Sequence, residues 1–230
     1  MRIMGLQKLT LLDYPDKIAC TVFLGGCNFR CPFCHNSSLI GMGDGEGEVS
    51  LDELMSFLKK RVGTLDGVAI TGGEPLINDD IETLLRSIKE LGFSIKLDTN
   101  GSFPSRLKYL VENGLVDYVA MDIKNSLPKY ALTCGKKVMD LSGITESINY
   151  LLKGNVPYEF RTTVVKELHE AADFEQIGKL IAGADAYYLQ SFIDSGDILC
   201  DGFSAYDTDE LRFFRSLLVK YVPNTHLRGV

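Results

Sequence analysis

Several things are missing from this 230-residue chain, and each absence closes off a class of function. Basic residues do not outnumber acidic ones. The 24 Lys and Arg against 31 Asp and Glu leave a formal net charge of −7, whereas a nucleic-acid partner normally leaves a basic footprint. No apolar run approaches the about 18 to 20 residues that span a bilayer, and no charged-then-apolar leader opens the chain, so a cytoplasmic protein with no membrane association is expected. There is no Walker loop, G-x-S-x-G elbow or H-E-x-x-H helix, and His169 and His226 have no acid–base partner at a recognisable spacing. Hydrolase and kinase readings therefore lack support. The six cysteines include no two separated C-x2-C pairs of the kind that structural zinc uses, and without a secretory leader they are expected as reduced thiols suited to metal chemistry.

What is present is a concentration of thiols. Gly25-Gly26-Cys27-Asn28-Phe29-Arg30-Cys31-Pro32-Phe33-Cys34-His35-Asn36 follows directly on the apolar run Ile18–Leu24. Soft thiolates on a short Gly-rich loop at a strand end suit an iron–sulfur cluster or zinc. The spacing is C-x3-C-x2-C with no fourth cysteine nearby, so a four-iron cluster held by Cys27, Cys31 and Cys34 keeps one iron open to a cofactor. Zinc with His35 or a distant cysteine as fourth ligand is the alternative, although His35 is adjacent to Cys34 and would chelate the same ion under strain. Three unligated thiols is the bland reading. Cys20 lies inside an apolar strand and reads as core. Cys134 and Cys200 fall in later loops near the same face and read as incidental thiols.

Strand and helix signals alternate six times. The strands read as Ile18–Leu24, Val68–Thr71, Ser94–Asp98, Asp117–Ile123, Tyr158–Val165 and Ala186–Phe192. A capping box at Ser50–Glu53, Pro104 in a first turn, the Gly154-Asn155 stop, a start at Asp173 and a last helix over Asp207–Tyr221 mark helices between and after them. The 41–47 stretch reads as a glycine-rich surface loop, or more sharply as a lid over the cysteines. Such alternation predicts parallel strands, and we expect one α/β domain over residues 1–230 in the form of a partial (β/α)6 barrel, a doubly wound open sheet being the alternative. In either arrangement the site lies at the carboxyl ends of the strands. Strand alternation pairs Asp98 with Asn100, Asp122 with Lys124, Glu159 with Arg161 and Thr163, and Tyr188 with Gln190 on shared faces.

The cysteine motif followed by His-Asn resembles the cluster loop of radical S-adenosylmethionine (SAM) enzymes, and Thr71-Gly72-Gly73-Glu74-Pro75-Leu76 resembles the turn that holds the methionyl amino group in that superfamily. The opening Gly5–Lys8 to Asp13–Ile18 and the Leu97–Gly101 stretch narrow the likeness to glycyl-radical-enzyme activating proteins, closest to those of anaerobic ribonucleoside-triphosphate reductase. That subfamily usually has Gly where this chain has Asp16, a departure confined to a surface turn. The resemblance implies a four-iron, four-sulfur (4Fe-4S) cluster on Cys27, Cys31 and Cys34 that cleaves SAM reductively, so that a 5′-deoxyadenosyl radical takes hydrogen from a glycine of a partner enzyme. A flavodoxin- or ferredoxin-like electron donor, and a monomer meeting its partner transiently, complete the expectation. Gly72, Gly73 and Glu74 are expected at the SAM ammonium, Arg161 or Lys124 at its carboxylate, and Asp98, Asn100, Asp122 and Gln190 around the remainder. A monovalent cation near Asp98, Thr99 and Asp122 is a further expectation. The alternatives are activation of pyruvate formate-lyase or another glycyl radical enzyme, radical SAM chemistry on a small molecule, and a non-enzymatic iron–sulfur electron carrier.

Overall fold

A computed structural model describes residues 1–41, 48–194, 196 and 198–230. Apart from Gly41, the 41–47 stretch lies outside the described residues. The strands run in the order β1 (Ile3–Thr10), β2 (Ala19–Leu24), β3 (Gly67–Gly72), β4 (Ser94–Thr99), β5 (Tyr118–Asp122), β6 (Tyr158–Val164), β7 (Tyr187–Ser191) and β8 (Thr225–Arg228). They form one sheet in that same spatial order. β1 is antiparallel to β2, and every later pairing is parallel. A doubly wound sheet must reverse its strand order at a switch point. This sheet never does, so its right-handed crossovers all carry helices to one face and leave the other as the lumen of an open barrel.

The six expected strands are β2 to β7. The sequence passes over two more. β1 is broken by register irregularities between Ile3 and Gly5 and between Gln7 and Thr10, which blur its period-two pattern, and β8 is four residues long within what reads as a tail over 222–230. The helices are α1 (Leu51–Lys59), α2 (Ile81–Glu90), α3 (Pro104–Glu112), α4 (Leu127–Thr133), α5 (Ser142–Leu151), α6 (Ala171–Leu180) and α7 (Thr208–Leu218). α4 falls in the long connection after β5. α6 starts a turn before the expected Asp173, because Glu170 is its cap and Asp173 closes the capping box from inside. Ser50 and Glu53 form the box at α1 as the sequence indicates, the Ser50 hydroxyl accepting from Glu53 N at 3.2 Å.

Helix faces set the core. α2 buries Ile81, Leu84, Leu85 and Ile88, one apolar stripe at three- and four-residue spacing. Cys20 is wholly buried in β2. Beneath the strands, Tyr14 is buried and closes the floor of the lumen, its ring 6.0 Å from that of Tyr118. A Cβ on Gly67 would stand 2.9 Å from the Tyr14 ring. Next to it Asp16 adopts φ 58°, the left-handed region that favours glycine, which accounts physically for the residue usual at that turn. Among the described residues, no helix is long and apolar enough to cross a membrane.

Candidate active site

At the carboxyl ends of β2 to β7 lies a cavity of 240 Å³ lined by Cys27, Cys31, Gly72, Gly73, Asp98, Asn100, Asp122, Lys124, Arg161 and Gln190, together with Phe29, His35, Asn36, Thr71 and Thr99. Of the twelve site residues named from sequence, Cys34 and Glu74 do not line it. Glu74 sits behind the wall, fully buried. Its carboxylate accepts from Leu76 N at 3.0 Å, the Thr99 hydroxyl at 2.9 Å and Asn100 N at 2.6 Å. Those bonds tie the β3 turn to the end of β4, so Glu74 braces the loop. Burial pushes its carboxyl up to about 7 against the three donors.

The two glycines after β3 are fixed by the neighbouring backbone. Gly72 has φ 126°, and a Cβ there would lie 2.2 Å from Leu24 O; on Gly73 it would lie 2.1 Å from Gly26 O. Gly73 N donates to Leu24 O at 2.9 Å, Glu74 N to Gly26 O at 2.8 Å, and Asn36 Nδ2 to Gly72 O at 3.0 Å. The cysteine loop and the Gly-Gly turn are therefore a single interlocked unit with no room for a side chain at the join.

Within the cysteine loop, Cys34 N donates to Cys31 O at 3.1 Å and Phe29 N to Cys27 Sγ at 3.4 Å. Burial pushes the Cys27 thiol up to about 11 and raises Cys34 as well. The neighbouring Cys134 thiol lowers Cys31, while Cys134 itself is raised. Among the described residues no three His, Cys, Asp or Glu side chains gather as the site of a single metal ion. A cluster asks for something else, since its thiolate ligands bind different irons and stand apart. Three thiols on a half-buried, Gly-flanked loop with an amide already donating to sulfur fit an iron–sulfur centre.

Across the cavity the lumen side chains form an ion network. Arg161 bridges two carboxylates: Nε donates to Asp122 Oδ1 at 3.0 Å and Nη1 to Asp98 Oδ2 at 3.2 Å. Lys124 Nζ donates to Asp122 Oδ2 at 2.9 Å, and buried Lys96 pairs with Asp98. Burial alone would raise the Asp122 carboxyl, but Arg161 and Lys124 outweigh it and hold it well below the usual carboxylate range. Asp98 is lowered in the same way, with Arg161 and Lys96 opposing burial. Lys124 is held well above its ordinary value, Asp122 and Cys31 outweighing burial. The Arg161 guanidinium stands beside Asp98 and Asp122, the pair near which a monovalent cation is expected. Three cations, Lys96, Lys124 and Arg161, face two carboxylates, Asp98 and Asp122. The network carries one surplus positive charge, suited to an anionic group.

Sequence reasoning missed Lys96, although it shares the lumen face with Asp98 by simple alternation. It also missed the amide chain in which Asn100 Nδ2 donates to Asn28 Oδ1 at 2.9 Å and Asn28 Nδ2 to Ser102 Oγ at 2.8 Å. The His35 ring, 5.4 Å from that of Phe192 and stacked on it, carries the cysteine loop onto the end of β7. Cys200 is exposed, and its N donates to Pro32 O at 3.0 Å. His169 is a buried structural group, Nε2 lying 2.9 Å from Lys124 O.

Residues 21–181 match the radical SAM superfamily. The chain belongs to that superfamily. Over 235 residues it is 32% identical to a Methanocaldococcus jannaschii protein described as a glycyl-radical enzyme activating enzyme, covering 99% of this chain and 96% of the relative. Over 129 residues it is 31% identical to the pyruvate formate-lyase-activating enzyme of Clostridium pasteurianum, covering 54% of this chain and 52% of that one. These matches place it among radical SAM enzymes of the activating class, which use a 4Fe-4S cluster and SAM. Among solved structures, SuiB of Streptococcus suis bound to S-adenosylmethionine superposes with a TM-score of 0.67 at 15% identity, over 90% of this chain and 51% of SuiB. That likeness is one of fold, and this radical SAM chain spans about half of SuiB's length.

Proposed function

We propose that this chain generates a glycyl radical on anaerobic ribonucleoside-triphosphate reductase. The observation that carries the reading is that the C-x3-C-x2-C loop, the Gly72-Gly73 turn and a cationic lumen network meet in one cavity. When bound, the cluster and SAM supply the one-electron cleavage and the hydrogen-abstracting radical. Cys27, Cys31 and Cys34 hold the cluster. Gly72 and Gly73 offer backbone carbonyls to the SAM ammonium, with Glu74 bracing them from behind. Lys124 is the stronger candidate for the carboxylate, since one bond to Asp122 leaves two of its three N–H groups without a partner among the described residues, whereas Arg161 is committed to both aspartates. Asp98, Asn100, Asp122 and Gln190 take the remaining polar groups. The same reading treats residues 1–230 as one domain, a cytoplasmic monomer reduced by a flavodoxin- or ferredoxin-like donor.

The test is anaerobic reconstitution with iron and sulfide, reduction, and assay of SAM cleavage with and without the reductase. The reductase should accelerate cleavage and acquire a glycine-centred radical by electron paramagnetic resonance, with deoxyadenosine gaining deuterium from labelled glycine. Cys31→Ala should abolish the cluster and Cys200→Ala should not; an intact cluster in Cys31→Ala refutes the ligand set. The Clostridium pasteurianum relative favours a second reading, pyruvate formate-lyase as the partner. A radical on that enzyme and none on the reductase would decide for it. Acceleration by a small metabolite alone would remove both.

A further inference from the structure

After β5 the chain turns back onto the cysteine loop. α4 ends at Thr133, and the wholly buried Cys134 caps it. Cys134 O accepts from Arg30 N at 3.0 Å. Gly135, at φ 68°, packs so closely that a Cβ there would lie 2.1 Å from Arg30 O. The Lys136 ammonium stands 5.4 Å from the centre of the Phe29 ring. Backbone contact on both sides of Cys134 thus presses this segment against Phe29–Cys31 and brings its buried thiol into the same buried cluster as Cys31. Of the three cysteines, Cys31 adjoins Arg30 and so lies beside the Cys134 segment. Cys27 receives a backbone N–H.

We propose that Cys134 is a positioning residue for the iron–sulfur centre, its S–H donating to the Cys31 sulfur, orienting that ligand and raising the reduction potential of the cluster. The inference rests on the assignment of Cys31 as a cluster ligand. Hydrogen bonds to ligand sulfurs stabilise the reduced, more negative cluster, and a ligand's second partner fixes its direction. A buried thiol suits the task, because it donates without bringing charge or water to the loop.

The experiment compares reconstituted wild-type protein with Cys134→Ala and Cys134→Ser by iron and sulfide content and by redox titration of the cluster's paramagnetic signal, with SAM absent. Equal iron in all three proteins is expected, with a more negative midpoint for Cys134→Ala and a return towards the wild-type value for Cys134→Ser, whose hydroxyl restores a donor. An unchanged midpoint in Cys134→Ala overturns the proposal. So does loss of iron from both variants, which would make Cys134 a ligand. A wild-type protein that takes up no cluster overturns the iron–sulfur assignment itself, and that arm is read first. Should Cys134→Ala prove insoluble, the infrared S–H band lost in Cys134→Ser serves instead. A shift of that band on cluster incorporation supports the hydrogen bond, and a band that does not move overturns it.

Discussion

Two ion clusters hang from β6, two residues apart on one face. Around Glu159, Arg228 donates from Nη1 and Nη2 at 2.8 and 2.9 Å, the Tyr118 hydroxyl donates at 3.2 Å, and the guanidinium lies 3.5 Å from the centre of the Tyr188 ring. Every Glu159 oxygen is used, the side chain is 1% exposed, and the charges cancel. Around Arg161 the guanidinium is shared between Asp98 and Asp122, Lys124 keeps unused donors, and the members Asp98, Asp122, Lys124 and Arg161 line the cavity. The same chemistry is closed on itself in one place and left open in the other. Closure marks a structural pair, and surplus charge at a cavity wall marks a binding site.

The largest expected effect comes from breaking the closed cluster. Arg228→Ala strands Glu159 without its cation and should cost about 3–5 kcal/mol in urea unfolding, while the folded enzyme binds SAM as before. Retained stability with lost SAM affinity would reverse the assignment of the two clusters. Breaking the open cluster should act the other way. Arg161→Ala is expected to weaken SAM binding at least tenfold, about 1.4 kcal/mol by calorimetry, with a smaller loss of stability than Arg228→Ala and unchanged cluster content. Asp122→Ala should follow it in direction. Arg161→Lys should not restore affinity, since one ammonium cannot bridge two carboxylates as the planar fork does. Unaltered affinity in both alanine variants would sink the site assignment.

A smaller effect concerns the brace between the two halves of the site. Burial raises the Glu74 carboxyl from its ordinary 4.5 to about 7, so between those values the folded protein holds a proton that the unfolded chain has released. Stability from this group is therefore complete below about pH 4.5 and is lost as pH rises through about 7. Glu74→Gln should flatten that part of the stability–pH curve, and parallel curves for the two proteins would exclude Glu74 as its source. The smallest change is expected at Asp16. Replacement by Gly relieves a left-handed residue and should shift stability by less than about 1 kcal/mol in the stabilising direction; a large loss would mean that the aspartate side chain holds the turn.

Most of the parallel sheet is legible in the sequence because its strands are continuous β-rich runs separated by capping and stop signals. The cysteine loop and the Gly-Gly turn are legible because their spacing leaves few chemical alternatives. Less legible is whatever depends on the third dimension. The role of Glu74 is set by Asn100 and Thr99, 26 and 25 residues away, and nothing local distinguishes a brace from a ligand. Nothing local to Arg161 shows that β4 and β5 bring Asp98 and Asp122 to its guanidinium. Cys134 reads as incidental because its relation to Cys31 spans about a hundred residues and is made by backbone packing. β1 and β8 escape because irregular register and short length erase the alternation on which strand reading relies.

The spatial order of the sheet runs from β1 to β8, and among the described residues no pairing joins those two strands. A fully closed barrel has its girth fixed by strand number and stagger, and widening it means tearing a ladder of hydrogen bonds. Here the circumference has a seam. Opening at that seam would break no strand ladder, because none of the sheet's pairings crosses it.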